Sequence, residues 1–300
     1  MAGLTVEAPS KINLYLRIGE RRADGYHELE SLFVPLAFGD TLRIGFMDGE
    51  GRPCIRMGGA GAGFLRPGEN ILYTVFSLFR EKTGFNRRLD IGVTKRIPVG
   101  AGLGGGSSDA AALLVALNRL SGAGLSGEDL RIMAEKLGSD VPFFLLDGAA
   151  LAGGRGERLA PVDFPAGTPV VLVNPGFASD TAAAYRRLDR FRQDRFPPEK
   201  GFSRAVSARI AGNGPRDWPW GNDFLPVFQN DGENGDGVVY TEILSALEGA
   251  GADFSGLSGS GSTCFGIFTD GGRAKRAAKI LSKEWPFVRL TFSLRAGWRR

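Results

Sequence analysis

Three hundred residues, 43% hydrophobic and 23% charged, suffice for one large or two ordinary domains around a buried core. A net charge of +4, from 37 basic and 33 acidic residues, suits an anionic ligand but lacks the long basic runs of a nucleic-acid binder. Cys54 and Cys264 give neither a disulfide framework nor metal-ligand spacing, which points to a reducing cytoplasm, and no apolar run or N-terminal signal pattern suggests a membrane segment.

The alternation in residues 6–18 predicts one long strand or a strand pair. Ile12, Leu14, Leu16 and Ile18 share the core face, while Lys11, Asn13, Tyr15 and Arg17 point to solvent or a cleft. Asp24-Gly25 is a turn signal, followed by Tyr26 and His27, the only histidine. Residues 32–36 and 40–46 read as two further strands in antiparallel order. Residues 58–68 read as a glycine and alanine loop, and 70–80 as an amphipathic helix buried through Ile71, Val75 and Leu78 or Phe79. Residues 89–97 alternate as a strand that Pro98 stops, with Leu89, Ile91, Val93 and then Lys95 and Ile97 on one face.

The stretch Pro98-Val99-Gly100-Ala101-Gly102-Leu103-Gly104-Gly105-Gly106-Ser107-Ser108-Asp109 holds five glycines in twelve residues and runs into a helix over 110–118. Orphan N–H groups and the positive dipole at a helix start favour an anion, and glycine lets the backbone approach it. Ser107 and Ser108 offer a helix cap and hydroxyl donors. Gly100-x-Gly102-x-x-Gly105 satisfies the dinucleotide fingerprint, yet the preceding strand alternates instead of being apolar throughout. The P-loop pattern fails because no lysine follows the glycines, so the positive charge for a triphosphate must come from elsewhere.

A helix with an acidic first turn is expected over 126–138. Asp140, two residues before Pro142, reads either as a helix N-cap or as a carboxylate facing a substrate hydroxyl. Glycines at 148, 153, 154 and 156 mark a turn-rich hairpin and a domain boundary near residue 155. A buried strand is expected over 169–175, a helix from Thr181 that carries Tyr185 one turn later, and a polar excursion over 190–220. Residues 230–237 read as a loop, 241–249 as a helix, and 258–268 as a second glycine loop entering a strand. A helix over 275–281 and a strand over 287–294 close the chain.

Three of these pieces resemble the GHMP kinases, the galactokinase–homoserine kinase–mevalonate kinase superfamily. They are Pro98 to Asp109, Ser258 to Phe268, and Ala8-Pro9-Ser10-Lys11-Ile12-Asn13-Leu14. Lys11-Ile12-Asn13-Leu14, Asp24-Gly25-Tyr26-His27, Gly102 to Ala111 and Gly138 to Phe144, in that order, are similar to the members of the non-mevalonate isoprenoid route. Between 190 and 222 the resemblance says little. It implies an α+β fold of two lobes, a ribosomal-protein-like N-terminal lobe (1–155, ATP-binding) and a ferredoxin-like C-terminal lobe (156–300, substrate side), with the active site in the cleft. It implies ATP, with Mg²⁺ travelling on it, as phosphoryl donor. The acceptor implied is a small molecule, a cytidylyl diphosphate ester of methylerythritol, and the protein would be a monomer or weak homodimer.

On this resemblance Asp140 is the catalytic base and Lys11 its partner, and residues 98–108 bind ATP. Tyr26 and Tyr185 would sandwich the pyrimidine, with Thr181 in the same motif, His27 on the polar edge and Asn13 on the erythritol hydroxyls. No protein metal ligand is expected. Two other readings stay open. One is a homoserine- or mevalonate-type kinase, against which the Tyr26–His27 pair counts. The other is a non-catalytic RNA-binding module, against which the mild charge counts.

Overall fold

The computed structural model describes residues 3–59, 70–193, 214–218, 221–230 and 235–295. The chain folds into two compact units that interleave in sequence. Residues 1–10, 38–99 and 104–146 form the first, and residues 11–37, 100–103 and 147–300 the second. The fold class is α+β.

Two long strands, β1 (Leu4–Arg21) and β2 (His27–Glu50), contribute to both units. The two strands expected over 32–36 and 40–46 are one. Gly39 allows this: a Cβ there would meet Ala8 O at 2.3 Å, so β1 and β2 approach too closely for a side chain. In the first unit β2 pairs antiparallel with β4 (Arg87–Lys95), Leu42 facing Val93 and Ile44 facing Ile91. β3 (Cys54–Gly59) adds to β4 in parallel, which the antiparallel expectation missed. Its six residues are too few and too mixed to show alternation. Of the loop expected over 58–68, residues 60–68 lie outside the described residues.

Helices α1 (Ile71–Thr83), α2 (Gly105–Ser121) and α3 (Gly127–Leu137) pack on one another in this unit. Asn70 caps α1 by accepting from Leu72 N at 3.0 Å, and Gly84 ends it at φ 73°. Ser126 and Asp129 cap α3 reciprocally. The core here takes Leu42, Ile44, Leu89, Ile91 and Val93 from the strands and Leu72, Val75, Phe76, Phe79, Leu113, Leu114 and Leu117 from the helices.

In the second unit β2 pairs with β5 (Ala150–Gly153), which turns back as β6 (Arg158–Pro161) in the expected hairpin. A separate antiparallel sheet runs β10-β7-β9-β8, from Phe287–Phe292, Pro169–Asn174, Cys264–Ile267 and Phe254–Leu257. Val171, Val173 and Cys264 of this sheet share a core with α4 (Thr181–Gln193), α5 (Phe224–Asn230), α6 (Asp236–Gly249) and α7 (Gly271–Leu281). α5 was not foreseen. The excursion expected over 190–220 begins inside α4, and most of it lies outside the described residues.

The two-faced reading of β1 needs correction. Lys11 (4% exposed), Asn13 (4%) and Tyr15 (1%) are as buried as the apolar face, because β1 is covered on both sides there. Among the described residues no helix is long and apolar enough to cross a membrane.

Candidate active site

The glycine stretch owes its shape to where its carbonyls go. Four consecutive carbonyls are engaged within the second unit. Gly100 O accepts from Ser179 N at 2.8 Å, Ala101 O from Thr263 N at 3.2 Å, and Leu103 O from Lys11 N at 3.0 Å. Gly102 O accepts from the Ser258 hydroxyl at 2.9 Å. The amides of residues 100–104 donate to no protein acceptor among the described residues. Gly100, Gly102 and Gly104 alternate into positive φ (66°, 74° and 72°), the backbone of an anion-binding nest. At Gly102 a Cβ would lie 2.1 Å from Ser258 O. Pro98 and Val99 lead into this stretch.

The helix begins five residues earlier than expected, at Gly105, with Gly104 as N-cap and no side-chain cap. Ser107 and Ser108 therefore do not cap it; both lie inside its first turn. Ser108 Oγ is buried and bonds to no protein group. Asp109, one residue on, faces inward. Its Oδ2 takes Lys95 Nζ at 2.7 Å, and Lys95 also pairs with Asp40. Asp40 Oδ1 accepts from Arg96 N at 2.5 Å and Ile97 N at 2.8 Å. So one buried cluster fastens the end of β4 to the first turns of α2. Burial pushes the Asp109 carboxyl up to about 7, with Asp40 adding to the rise and Lys95 opposing it. Lys95 carried a signal in the sequence, a charge on the apolar phase of its strand. Asp40 and Asp109 carried none.

Asp140 stands between α3 and a short 3-10 helix over Pro142–Leu145 and is half-buried. That turn has Val141 as N-cap with no side-chain cap, so the capping reading of Asp140 does not hold.

In the second unit Lys11 Nζ donates to Asn13 Oδ1 and stands 5.1 Å from the Phe33 ring centroid. Asn13 Nδ2 donates to Ser31 Oγ at 2.9 Å, and Asn13 N to Ser258 Oγ at 3.2 Å. Ser258 is thus the joint between Asn13 and Gly102, a role the sequence did not disclose. Thr181 Oγ1 lies 2.9 Å from Ser260 Oγ in the second glycine loop. Asn222 Nδ2 holds the same loop through Leu257 O and Gly259 O at 2.8 and 2.7 Å.

Tyr26 is 54% exposed, with the Arg155 guanidinium 4.7 Å from its ring centroid. His27 is buried. Its ring stacks on Tyr185 at 5.1 Å and 19°, and its Nε2 lies 2.8 Å from Asp189 Oδ1. Tyr185 also meets the edge of Phe224 at 5.1 Å. The structure therefore joins His27 to Tyr185, where the sequence reading paired Tyr185 with Tyr26 around a base. Asp189 was not foreseen.

An unbonded run of amides feeding a helix start is the chemistry of a phosphate site. Residues 70–148 match the GHMP kinases N terminal domain and residues 239–286 the GHMP kinases C terminal domain. A 4-diphosphocytidyl-2-C-methyl-D-erythritol kinase of Treponema pallidum (strain Nichols) is 38% identical over 95% of this chain and 97% of its own length. The enzyme of that name from Anaeromyxobacter sp. (strain Fw109-5) is 40% identical, over 92% of this chain and 86% of its own. A crystal structure of 4-(cytidine 5'-diphospho)-2C-methyl-D-erythritol kinase superposes with TM-score 0.78 at 34% identity, covering 97% of this chain and 99% of that one. A homoserine kinase from Cytophaga hutchinsonii shares the fold, with TM-score 0.69 at 20% identity over 99% of this chain and 96% of its own. The chain belongs to the GHMP kinases and, within them, to the 4-diphosphocytidyl-2-C-methyl-D-erythritol kinase family.

Proposed function

We propose that this protein transfers the γ-phosphoryl group of ATP to the 2-hydroxyl of 4-diphosphocytidyl-2-C-methyl-D-erythritol, a step toward isoprenoid precursors. The observation that carries the reading is the glycine stretch, whose carbonyls at 100–103 are all taken while the amides of 100–104 are not. Those amides and the α2 dipole cradle the phosphates. Lys11 supplies the charge that the loop lacks.

Asp140 accepts the hydroxyl proton of the substrate. The hydroxyl oxygen bonds to the γ-phosphorus, the bond from that phosphorus to the β–γ bridging oxygen breaks, and ADP departs. Phosphoryl transfer depends on positioning and charge stabilisation more than on covalent help, which suits a site built this way. Asn13 holds Lys11 through Oδ1 and keeps a second lone pair on that atom for an erythritol hydroxyl. Mg²⁺ enters as the ATP complex. No cluster of three His, Cys, Asp or Glu groups occurs among the described residues, and an ion carried by a triphosphate keeps several waters and needs few protein ligands.

The cytosine stacks on the Tyr26 face opposite Arg155, while His27 meets its polar edge. Tyr185 and Thr181 support that pocket, Tyr185 by stacking on His27.

The test is ADP release from Mg·ATP with three acceptors: 4-diphosphocytidyl-2-C-methyl-D-erythritol, homoserine and mevalonate. Turnover with the first alone is expected. Turnover with either of the others in its place would keep the fold and overturn the substrate.

A further inference from the structure

His27 is held by two residues of one helix. Tyr185 and Asp189 stand four positions apart on α4 and so share a face. Tyr185 lies flat beneath the imidazole at 5.1 Å, and Asp189 Oδ1 takes its Nε2 at 2.8 Å. The ring is pinned in plane and in rotation, with its side chain only 7% exposed.

A carboxylate only accepts, so the proton on this bond sits on Nε2. In the neutral imidazole the other nitrogen, Nδ1, then bears a lone pair. No described residue bonds to Nδ1. Cytosine and uracil differ at two adjacent edge positions: at C4 an amine that donates replaces a carbonyl that accepts, and at N3 a lone pair replaces an N–H; the position at C4 is the one taken to face Nδ1. A lone pair on Nδ1 accepts from the amine and opposes the carbonyl.

We infer that Asp189 is the positioning residue that fixes the His27 tautomer and thereby sets a preference for cytosine over uracil in the substrate. The inference rests on the pocket reading given above for Tyr26 and His27. Asp189 acts through His27 and touches no substrate itself. Its side chain is 37% exposed on the outer part of α4, so its replacement leaves the core intact.

The experiment compares kcat/KM for the cytidylyl substrate and its uridylyl counterpart, by ADP release, in the natural protein, Asp189→Asn, Asp189→Ala and His27→Ala. The natural protein should favour the cytidylyl ester. Asparagine can turn either its oxygen or its NH2 to Nε2; with the NH2 there the proton moves to Nδ1, and the preference in that state of Asp189→Asn should drop about tenfold or more, with the KM for ATP unmoved. Asp189→Ala should lower it less, because the ring is then only loosened. Since His27 is the only histidine, the ¹⁵N spectrum of labelled imidazole at about pH 8 reports the tautomer directly, and in Asp189→Asn it shows which end of the amide faces the ring, Nδ1–H marking the NH2 and Nε2–H the oxygen. A preference unchanged in Asp189→Asn carrying the Nδ1–H tautomer, or lost in Asp189→Asn that keeps Nε2–H, with His27→Ala lowering it, would overturn the inference and leave the pocket standing. An unchanged preference in His27→Ala would overturn both. An Nδ1–H tautomer in the natural protein would overturn the inference on its own.

Discussion

Lys95 Nζ lies 2.7 Å from Asp109 Oδ2, and both side chains are almost wholly buried. With Asp40 on the same ammonium, one positive charge serves two carboxylates away from water. Removing the ammonium leaves two buried carboxyl groups without their cation and donor, which costs far more than the ion pairs themselves contribute. Lys95→Met should lower stability by about 3–5 kcal/mol in denaturant unfolding. A loss under about 1 kcal/mol would mean that the cluster relaxes without its cation.

The same cluster gives stability a pH slope. Asp109 has a carboxyl pushed up to about 7 when folded, against about 3.9 in an unfolded chain. Between those values the folded protein binds the extra proton. Stability should therefore fall as pH rises from about 4 to about 7, by at most about 1.4 kcal/mol per unit from this group. Asp109→Asn fixes the neutral form and should flatten that part of the profile. Urea unfolding across the range decides it, and parallel profiles for the two proteins would refute the assignment.

Two glycines of the loop should respond in opposite ways. At Gly102, φ is 74° and a Cβ would sit 2.1 Å from Ser258 O, so Gly102→Ala should both destabilise the fold and abolish nucleotide binding. Gly106 lies inside α2 with nothing within 4 Å of an added Cβ. Gly106→Ala should hold or raise stability by about 0.5–1 kcal/mol through helix propensity, yet raise the KM for ATP if phosphate approaches that turn. An unchanged KM would move the phosphate away from Gly106.

Asp140→Asn keeps the shape of the side chain and removes its ability to take a proton. Turnover should fall by about 10²–10⁴-fold, with ATP still bound by calorimetry. Full activity would place the base elsewhere.

Tyr26→Ala deletes an exposed ring that contributes little to the core. The KM for the cytidylyl ester should rise about tenfold and that for ATP stay within error. Equal rises in both would argue for a general disturbance of the turn at Asp24-Gly25.

What the sequence disclosed follows from how local each signal is. The glycine loop, the helix over 126–138 with its acidic first turn, and the hairpin at β5–β6 are written in neighbouring residues. The start of α2 at Gly105 was not readable, because glycine is a poor helix former and only its surroundings hold it helical. Asp40 and Asp109 look like any strand-end or helix aspartate until Lys95 brings them together. Asp189 stands 162 residues from His27, and no pattern in either segment announces the other. The burial of Lys11 and Asn13 escaped for a related reason, since alternation shows which residues share a face and not whether that face is covered.

The four carbonyl bonds at residues 100–103 also impose an order in time. Their donors belong to Lys11, Ser179, Ser258 and Thr263. During synthesis from the N-terminus, the loop emerges with only the first of these donors already made. Three of its four fastenings wait on segments made much later, and the last comes with Thr263. The loop leaves the ribosome well before most of its fastenings and is among the last parts of the site to take its shape. A chain halted short of residue 258 would carry the whole phosphate motif in its sequence and lack two of the four bonds that hold that motif open.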